Sequence, residues 1–158
     1  IEEEEPELVL VAADGRYELA DPDGKRVEGR PGAAWEAALT ASLERMVELA
    51  PTIVIADTPR VGYDPAECLA TSDGVEDCEA DRARMVDEAY AQLEATAAAA
   101  AGAGLISATD WICFEEDCPL VRGSTLVYRD SHHLTATFAD RLSERLGAAI
   151  DAVRGTDR

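Results

Sequence analysis

The run PTIVIAD (residues 51–57) decides the fold class that this sequence predicts. It is short, apolar and rich in β-branched residues, and it ends in an aspartate. ELVLVAAD (7–14) and the weaker AGLISATD (103–110) share this pattern. Apolar runs without polar alternation are typical of strands that are buried on both faces, as in a parallel sheet. We therefore predict three parallel strands, each leaving the carboxyl edge of the sheet at an aspartate: Asp14, Asp57 and Asp110.

Helical periodicity separates and follows these runs. Apolar residues recur every three or four positions in residues 33–50, 81–101 and 134–153. Thr135 is the expected N-cap of the last helix, and STLVYR (124–129) is a short β-like piece before it. This alternation of strands and helices predicts an α/β chain with a three-layer architecture around a parallel sheet.

Composition indicates one globular domain over residues 1–158. Hydrophobic residues make up 47% of the chain and charged residues 30%. No run approaches the ~20 apolar residues that a membrane span needs. The net charge of −19 speaks against nucleic acid or an anionic membrane surface as a direct partner.

Four cysteines fall into two local pairs, Cys68 with Cys78 and Cys113 with Cys118. A metal site would favour a C-x2-C spacing with further cysteine or histidine, and neither pair has it. Disulfides are therefore favoured over free thiols. Of the three connectivities that four cysteines allow, we expect the local one. Because disulfides persist in oxidising compartments, this pairing predicts a domain that works outside the cytoplasm.

The stretch YRDSHHLT (128–135) holds both histidines of the chain, directly behind Asp130. Because Asp130 stands three positions before His133, its carboxylate can accept a hydrogen bond from the His133 imidazole and leave the other ring nitrogen of His133 as a base. A bare D-x-x-H is also common among solvated loop residues and helix caps. A metal site on Asp130, His132 and His133 is a third alternative, but adjacent histidines in one turn rarely point at one ion, so no metal is expected.

No serine of the chain stands in a nucleophile motif. The six serines lie outside G-x-S-x-G and similar strand-to-helix elbows, and Ser124 is the nearest approach. The segment VIADTPRVG (54–62) places a Thr-Pro-Arg turn after the second strand. Asp57 and Arg60 could line a pocket there. A turn cap and a surface ion pair explain the same two residues equally well.

Taken in order, the segments VIADTPRVGYDPAECLA (54–70) and DWICFEEDCPLVRGSTLVYRDSHHLT (110–135) and the closing helix resemble one known family. This is the SGNH (GDSL-like) hydrolase domain that follows a multi-pass membrane acyltransferase in bacterial cell-envelope O-acyltransferases. The similarity runs over most of the chain and is strongest in residues 54–78 and 110–146.

The resemblance implies a flavodoxin-like α/β/α fold and the chemistry of acyl-ester transfer or hydrolysis on carbohydrate, through a covalent acyl-serine. Asp130 and His133 match the closing D-x-x-H block, as acid and base of a triad, whereas His132 falls on a position without a catalytic role and is kept as a pocket candidate. The implied partners are an acyl donor, a cell-envelope glycan and a membrane acyltransferase domain in the same polypeptide. The implied location is extracytoplasmic, and no cofactor is implied.

The sequence also departs from the family pattern. It contains no Gly-Asp-Ser block and no asparagine, and AADGRYE (12–18) stands where many relatives carry an oxyanion-hole asparagine. Asp14 and Arg16 of this loop are further pocket candidates. We therefore expect the carboxyl-terminal portion of the domain, without its first strand and helix, whose nucleophile lies outside this chain. The alternative is a non-catalytic carbohydrate-binding or scaffolding module.

Overall fold

Seven strands and six helices form in the computed structural model, which describes residues 3–15, 20–21, 23–26 and 32–156. In chain order they are β1 (Val9–Ala12), α1 (Ala33–Val47), β2 (Thr52–Ile55), α2 (Pro65–Thr71), β3 (Ala80–Asp81), α3 (Arg82–Met85), α4 (Glu88–Ala101), β4 (Gly104–Ile106), α5 (Thr109–Ile112), β5 (Asp117–Cys118), β6 (Val121–Arg122), β7 (Thr125–Leu126) and α6 (Ala136–Thr156). A 3-10 turn covers Val75–Cys78.

The three apolar runs of the sequence form one parallel sheet, in the order β1-β2-β4. Val9 lies opposite Thr52, and Ile53 lies opposite Gly104. The central strand is the most buried, with Ile53 and Val54 exposed by 2% and 1%. The predicted parallel sheet within a mixed α/β fold is therefore confirmed. Because the strands are parallel, the segments that follow them leave the sheet at one edge.

The structure differs from the sequence-based expectation at three places. The helix expected over residues 81–101 is interrupted between α3 and α4, where Val86 is extended and the Met85 carbonyl accepts from the Arg60 backbone N–H at 2.8 Å. The strand expected over 103–110 ends at Ile106, and α5 begins three residues later. Helix α2 was not predicted, although Asp64 caps it and Pro65 opens it.

The chain divides into two compact units, each with its own core. The first comprises residues 1–57, 89–106 and 156–158, and its buried cluster consists of Leu43, Val54, Ala97 and Ala98. The second comprises residues 58–88 and 107–155. Its larger cluster consists of Val61, Cys78, Met85, Ile112, Cys113, Cys118, Leu120, Val127, Tyr128 and Phe138. The single domain expected from chain length stays a prediction. None of the helices in the described ranges is long and apolar enough to cross a bilayer.

Both disulfides expected from the cysteine spacing are present, Cys68–Cys78 and Cys113–Cys118. All four cysteines belong to the second unit, and three of them lie in its buried cluster. The first disulfide ties α2 to the 3-10 turn. The second links two cysteines that are five positions apart and closes the turn between α5 and β5. The local connectivity is therefore confirmed.

Replacing both Cys68 and Cys78 with alanine should lower the free energy of unfolding by about 2 kcal/mol, because the disulfide restricts the unfolded chain. Urea titration of the oxidised protein and of the double variant measures this loss. A double variant as stable as the oxidised protein would contradict the expectation. Reduction of both proteins provides the control, since it should cost the variant less.

Candidate acid–base site

The D-x-x-H motif lies in a short loop, residues 129–133, between β7 and α6. Tyr128, which is fully buried, pairs with Leu134 across the base of the loop in an antiparallel bridge. The Arg129 N–H donates to the His133 carbonyl at 2.8 Å and closes the loop on itself. These contacts fix the loop backbone against the core of the second unit.

Two further contacts hold the loop in place. Thr135 caps α6, since its Oγ1 accepts from the Phe138 N–H at 3.2 Å, which confirms the expected N-cap. The Gly62 N–H donates to the Ser131 carbonyl at 3.0 Å and joins the loop to the segment that follows the Thr-Pro-Arg turn. Gly62 has a φ of 80°, a left-handed conformation that glycine adopts without a steric cost.

Asp130 and His133 are in direct side-chain contact. His133 Nδ1 lies 2.9 Å from Asp130 Oδ2 and 3.0 Å from Oδ1. The D-x-x-H spacing produces this contact because the turn directs both side chains to the same side of the loop. The His133 side chain remains 54% exposed. The arrangement is that of a carboxylate that orients an imidazole whose other nitrogen is available to a substrate or a nucleophile.

The tautomer of His133 follows from its neighbours. The guanidinium of Arg129 lies 3.3 Å from Nδ1, but a guanidinium can only donate a hydrogen bond, so this contact would require an unprotonated Nδ1. The carboxylate of Asp130 is closer and can only accept. Nδ1 therefore carries the proton and donates to Asp130, while Arg129 donates to Asp130 Oδ2 at 3.1 Å and 3.2 Å. Nε2 is left as the basic nitrogen.

The Asp130 carboxylate is stabilised in its charged form. Its pKa lies well below the usual range, chiefly because the backbone N–H of His133 donates to it at 2.9 Å. The backbone N–H of His132 and the side chains of His133 and Arg129 lower the pKa further. An aspartate that stays ionised stabilises an imidazolium beside it, as the acid of a triad must.

The His132 side chain forms its polar contact with Ser131, whereas it meets His133 only through the two rings. Its Nδ1 lies 3.0 Å from Ser131 Oγ, and its ring is tilted against the His133 ring at a centroid distance of 3.9 Å. Asp130, His132 and His133 each place one ligand atom within 4.8 Å of the others. The Asp130 carboxylate already accepts two backbone N–H groups, an imidazole and a guanidinium. This satisfied carboxylate beside a guanidinium suits an acid–base pair better than a cation site.

The other pocket candidates lie in both units. Asp14 and Asp57 follow β1 and β2, and the Gly15 N–H lies 3.5 Å from Asp57 Oδ2, so the two loops meet at the sheet edge. Gly15 packs against the Tyr90 ring so closely that a Cβ atom would lie 2.7 Å from it. Arg60 belongs to the second unit, and Arg16 lies outside the described residues. A pocket role for these residues stays a prediction.

Two residues that the structure places at or near the candidate sites, Arg129 and Glu94, were not identified from the sequence. Arg129 contacts both members of the acid–base pair, and only its place beside Asp130 pointed to it. Glu94 is 1% exposed, and its Oε2 accepts from the Asp57 N–H at 3.0 Å. Burial raises the pKa of Glu94 to about 7, and the charge of Asp57 contributes in the same direction. The available signal was its spacing of four residues from Tyr90, on the buried face of α4.

Comparisons with known proteins show the family. A family profile described as "SGNH domain (fused to AT3 domains)" matches residues 1–148. Among solved structures, the chain is similar to the periplasmic domain of a lipopolysaccharide acetyltransferase from Salmonella ser. Paratyphi A, with 16% sequence identity and a TM-score of 0.60. The match covers 94% of this chain and 58% of that chain. At this identity the likeness shows the fold alone. No curated protein matches the sequence.

The residues that the profile matches include those of the parallel sheet, both disulfides and the loop that holds Asp130 and His133. The structural similarity agrees with the mixed α/β fold expected from the sequence. The chain therefore belongs to the family of SGNH domains that are fused to AT3 domains.

Proposed function

We propose that this chain is part of an extracytoplasmic acyl-ester transferase or esterase domain that acts on cell-envelope carbohydrate. The observation that carries the proposal is the 2.9 Å contact between His133 Nδ1 and Asp130 Oδ2, on a loop whose backbone is fixed at both ends. This contact leaves Nε2 of His133 as a base on an exposed side chain. Membership of a family fused to AT3 domains supports the reaction class.

In the proposed reaction, a serine that lies outside this chain attacks the carbonyl carbon of an acyl donor. His133 Nε2 takes the proton of the serine hydroxyl, and Asp130 stabilises the imidazolium that forms. Collapse of the tetrahedral intermediate expels the donor alcohol, which receives the proton from His133. A hydroxyl group of the glycan, or water, then repeats the sequence on the acyl-serine. The first acceptor gives transfer and the second gives hydrolysis.

Family membership and the two disulfides support the partners and the location that we propose. The acyl donor and the cell-envelope glycan are the substrates that we propose, and a membrane acyltransferase domain in the same polypeptide is the proposed source of the acyl group. Two disulfides support an extracytoplasmic location, because such bonds persist in oxidising compartments. The similar Salmonella structure is itself a periplasmic domain.

Fluorophosphonate labelling of the complete gene product tests the proposal. We expect one serine to be labelled and an acylated substrate to protect it, because the reagent reacts with serines that a histidine base activates. The same protein with Asp130→Asn should be labelled much more slowly, which separates activation by this loop from unspecific reaction. The isolated chain of residues 1–158 should remain unlabelled.

The second candidate function is a non-catalytic module that binds carbohydrate or serves as a scaffold. The absence of a Gly-Asp-Ser block and of any asparagine from this sequence favours it. A complete gene product that takes up no serine-directed label, or is labelled equally when Asp130 is replaced, would favour the module over the enzyme.

A further inference from the structure

A solvent-open cleft lies in the second unit, around the loop that the Cys113–Cys118 disulfide closes. It has a volume of about 540 Å³ and is a shallow surface cleft, not an enclosed cavity. Its lining residues combine one aromatic ring, two carboxylates, one guanidinium and a disulfide sulfur: Arg82, Asp110, Cys113, Phe114 and Glu115. None of these residues takes part in the acid–base loop.

Phe114 supplies the apolar surface of the cleft. Its side chain is 52% exposed. The Phe114 N–H donates to the Asp117 carbonyl at 2.7 Å, and its own carbonyl accepts from Arg82 Nη1 at 3.1 Å. The guanidinium of Arg122 lies over the ring at 4.4 Å from its centroid. A preorganised, half-exposed aromatic ring costs little to order when a ligand binds.

Polar groups of both signs surround the ring. Arg82 Nη2 pairs with Asp110 Oδ1 at 2.7 Å, and the Asp110 side chain is still 81% exposed. The carboxylate of Glu115 is exposed and makes no ion pair within the described ranges. The carboxylates would repel an anion, and the guanidiniums of Arg82 and Arg122 would repel a cation. The balance of charges therefore favours an uncharged ligand with many hydroxyl groups.

We propose that this cleft binds an uncharged sugar ring of the glycan acceptor, an inference that rests on the proposed function for the identity of the ligand. The apolar C–H face of a pyranose packs on the exposed face of Phe114, as flat apolar surfaces pack on aromatic rings. Its hydroxyl groups donate to the carboxylates of Asp110 and Glu115 and accept from the guanidinium of Arg82. The cleft thereby holds the acceptor, and the acid–base loop performs the chemistry.

The test uses the complete gene product and a panel of immobilised uncharged oligosaccharides of hexoses, 6-deoxyhexoses and N-acetylhexosamines. We expect at least one to bind and the dissociation constant to rise about tenfold in Phe114→Ala, since a truncated aromatic anchor typically costs this much. Phe114→Tyr, which keeps the ring, should bind like the unchanged protein. Val75→Ala is the matched control, because Val75 is also a half-exposed hydrophobic residue of this unit, outside the cleft.

Kinetics separate this inference from the proposed function. In acyl transfer, Phe114→Ala should raise KM for the glycan acceptor about tenfold and leave kcat unchanged, as loss of uniform binding does. Binding that depends on Phe114 in a protein without any transferase or esterase activity would refute the enzyme and keep the cleft. No saccharide binding, equal binding by Phe114→Ala, or a preference for charged peptides over every saccharide would refute the cleft.

Discussion

Replacing His133 with alanine in the complete gene product should lower kcat for acyl transfer at least about a thousandfold. The proposed reaction requires a base that takes the serine proton and returns it to the leaving alcohol, and His133 Nε2 is the atom assigned to both steps. Within the described part of the chain, the only other histidine is His132, whose Nδ1 contacts Ser131. Transfer of radiolabelled acyl groups under single-turnover conditions measures the loss.

Two variants of the same loop sharpen this prediction. Asp130→Asn should also reduce kcat by at least about a thousandfold, because an amide can present an N–H to Nδ1 and so favours the wrong tautomer. His132→Ala should change kcat less than about tenfold, since the proposed reaction assigns no proton transfer to His132. Circular dichroism and thermal unfolding of each variant show whether the fold is retained. A folded His133→Ala protein with unchanged kcat would refute the assignment.

Replacing Glu94 with glutamine should remove a pH dependence of stability worth roughly 3 kcal/mol. Burial raises the pKa of this carboxyl to about 7 in the folded protein, against an ordinary value of 4.5. The native state therefore binds the proton more tightly than the unfolded chain. The stability that Glu94 contributes is fully present below about pH 4.5 and is lost as the pH rises through 7, because a buried carboxylate then has to be charged.

Urea unfolding of both proteins at about pH 5.5 and about pH 8.5 measures the effect. The difference in free energy of unfolding, Glu94→Gln minus the unchanged protein, should rise by about 2 kcal/mol over this interval, which includes the upper part of the titration window. Glu88→Gln is the matched control, because Glu88 is an exposed glutamate on the same helix. An equal pH dependence of the two proteins would show that Glu94 does not titrate in this window.

The contacts of Glu94 also show what its charge would disturb. Its Oε2 holds the Asp57 N–H at the carboxyl end of β2, and Oε1 is buried without a hydrogen-bond partner in the described part of the chain. The unpartnered oxygen is the natural position for the proton. Deprotonation leaves two carboxylates, Glu94 and Asp57, next to each other, and this repulsion adds to the cost of burial.

Local patterns predicted the elements whose causes are local. The apolar runs that hold Ile53 and Ile106 became neighbouring parallel strands, and Thr135 caps the last helix as its side-chain chemistry requires. Asp64 and Pro65 form an equally local signal for the start of a helix, but α2 was not predicted from them. The break at Val86 could not be predicted, because it depends on a hydrogen bond between the Met85 carbonyl and Arg60, 25 positions away in the chain.

By itself, the sequence determined the fold class, the two disulfide pairs and the Asp130–His133 contact. Each of these depends on periodicity or on spacings of a few residues, where chain geometry limits which side chains can meet. Only the tertiary structure decided that Glu94 is buried at the sheet edge beside Asp57 and that Phe114 is exposed in a cleft beside Arg82. These features depend on burial and on contacts between distant segments, which no local spacing determines.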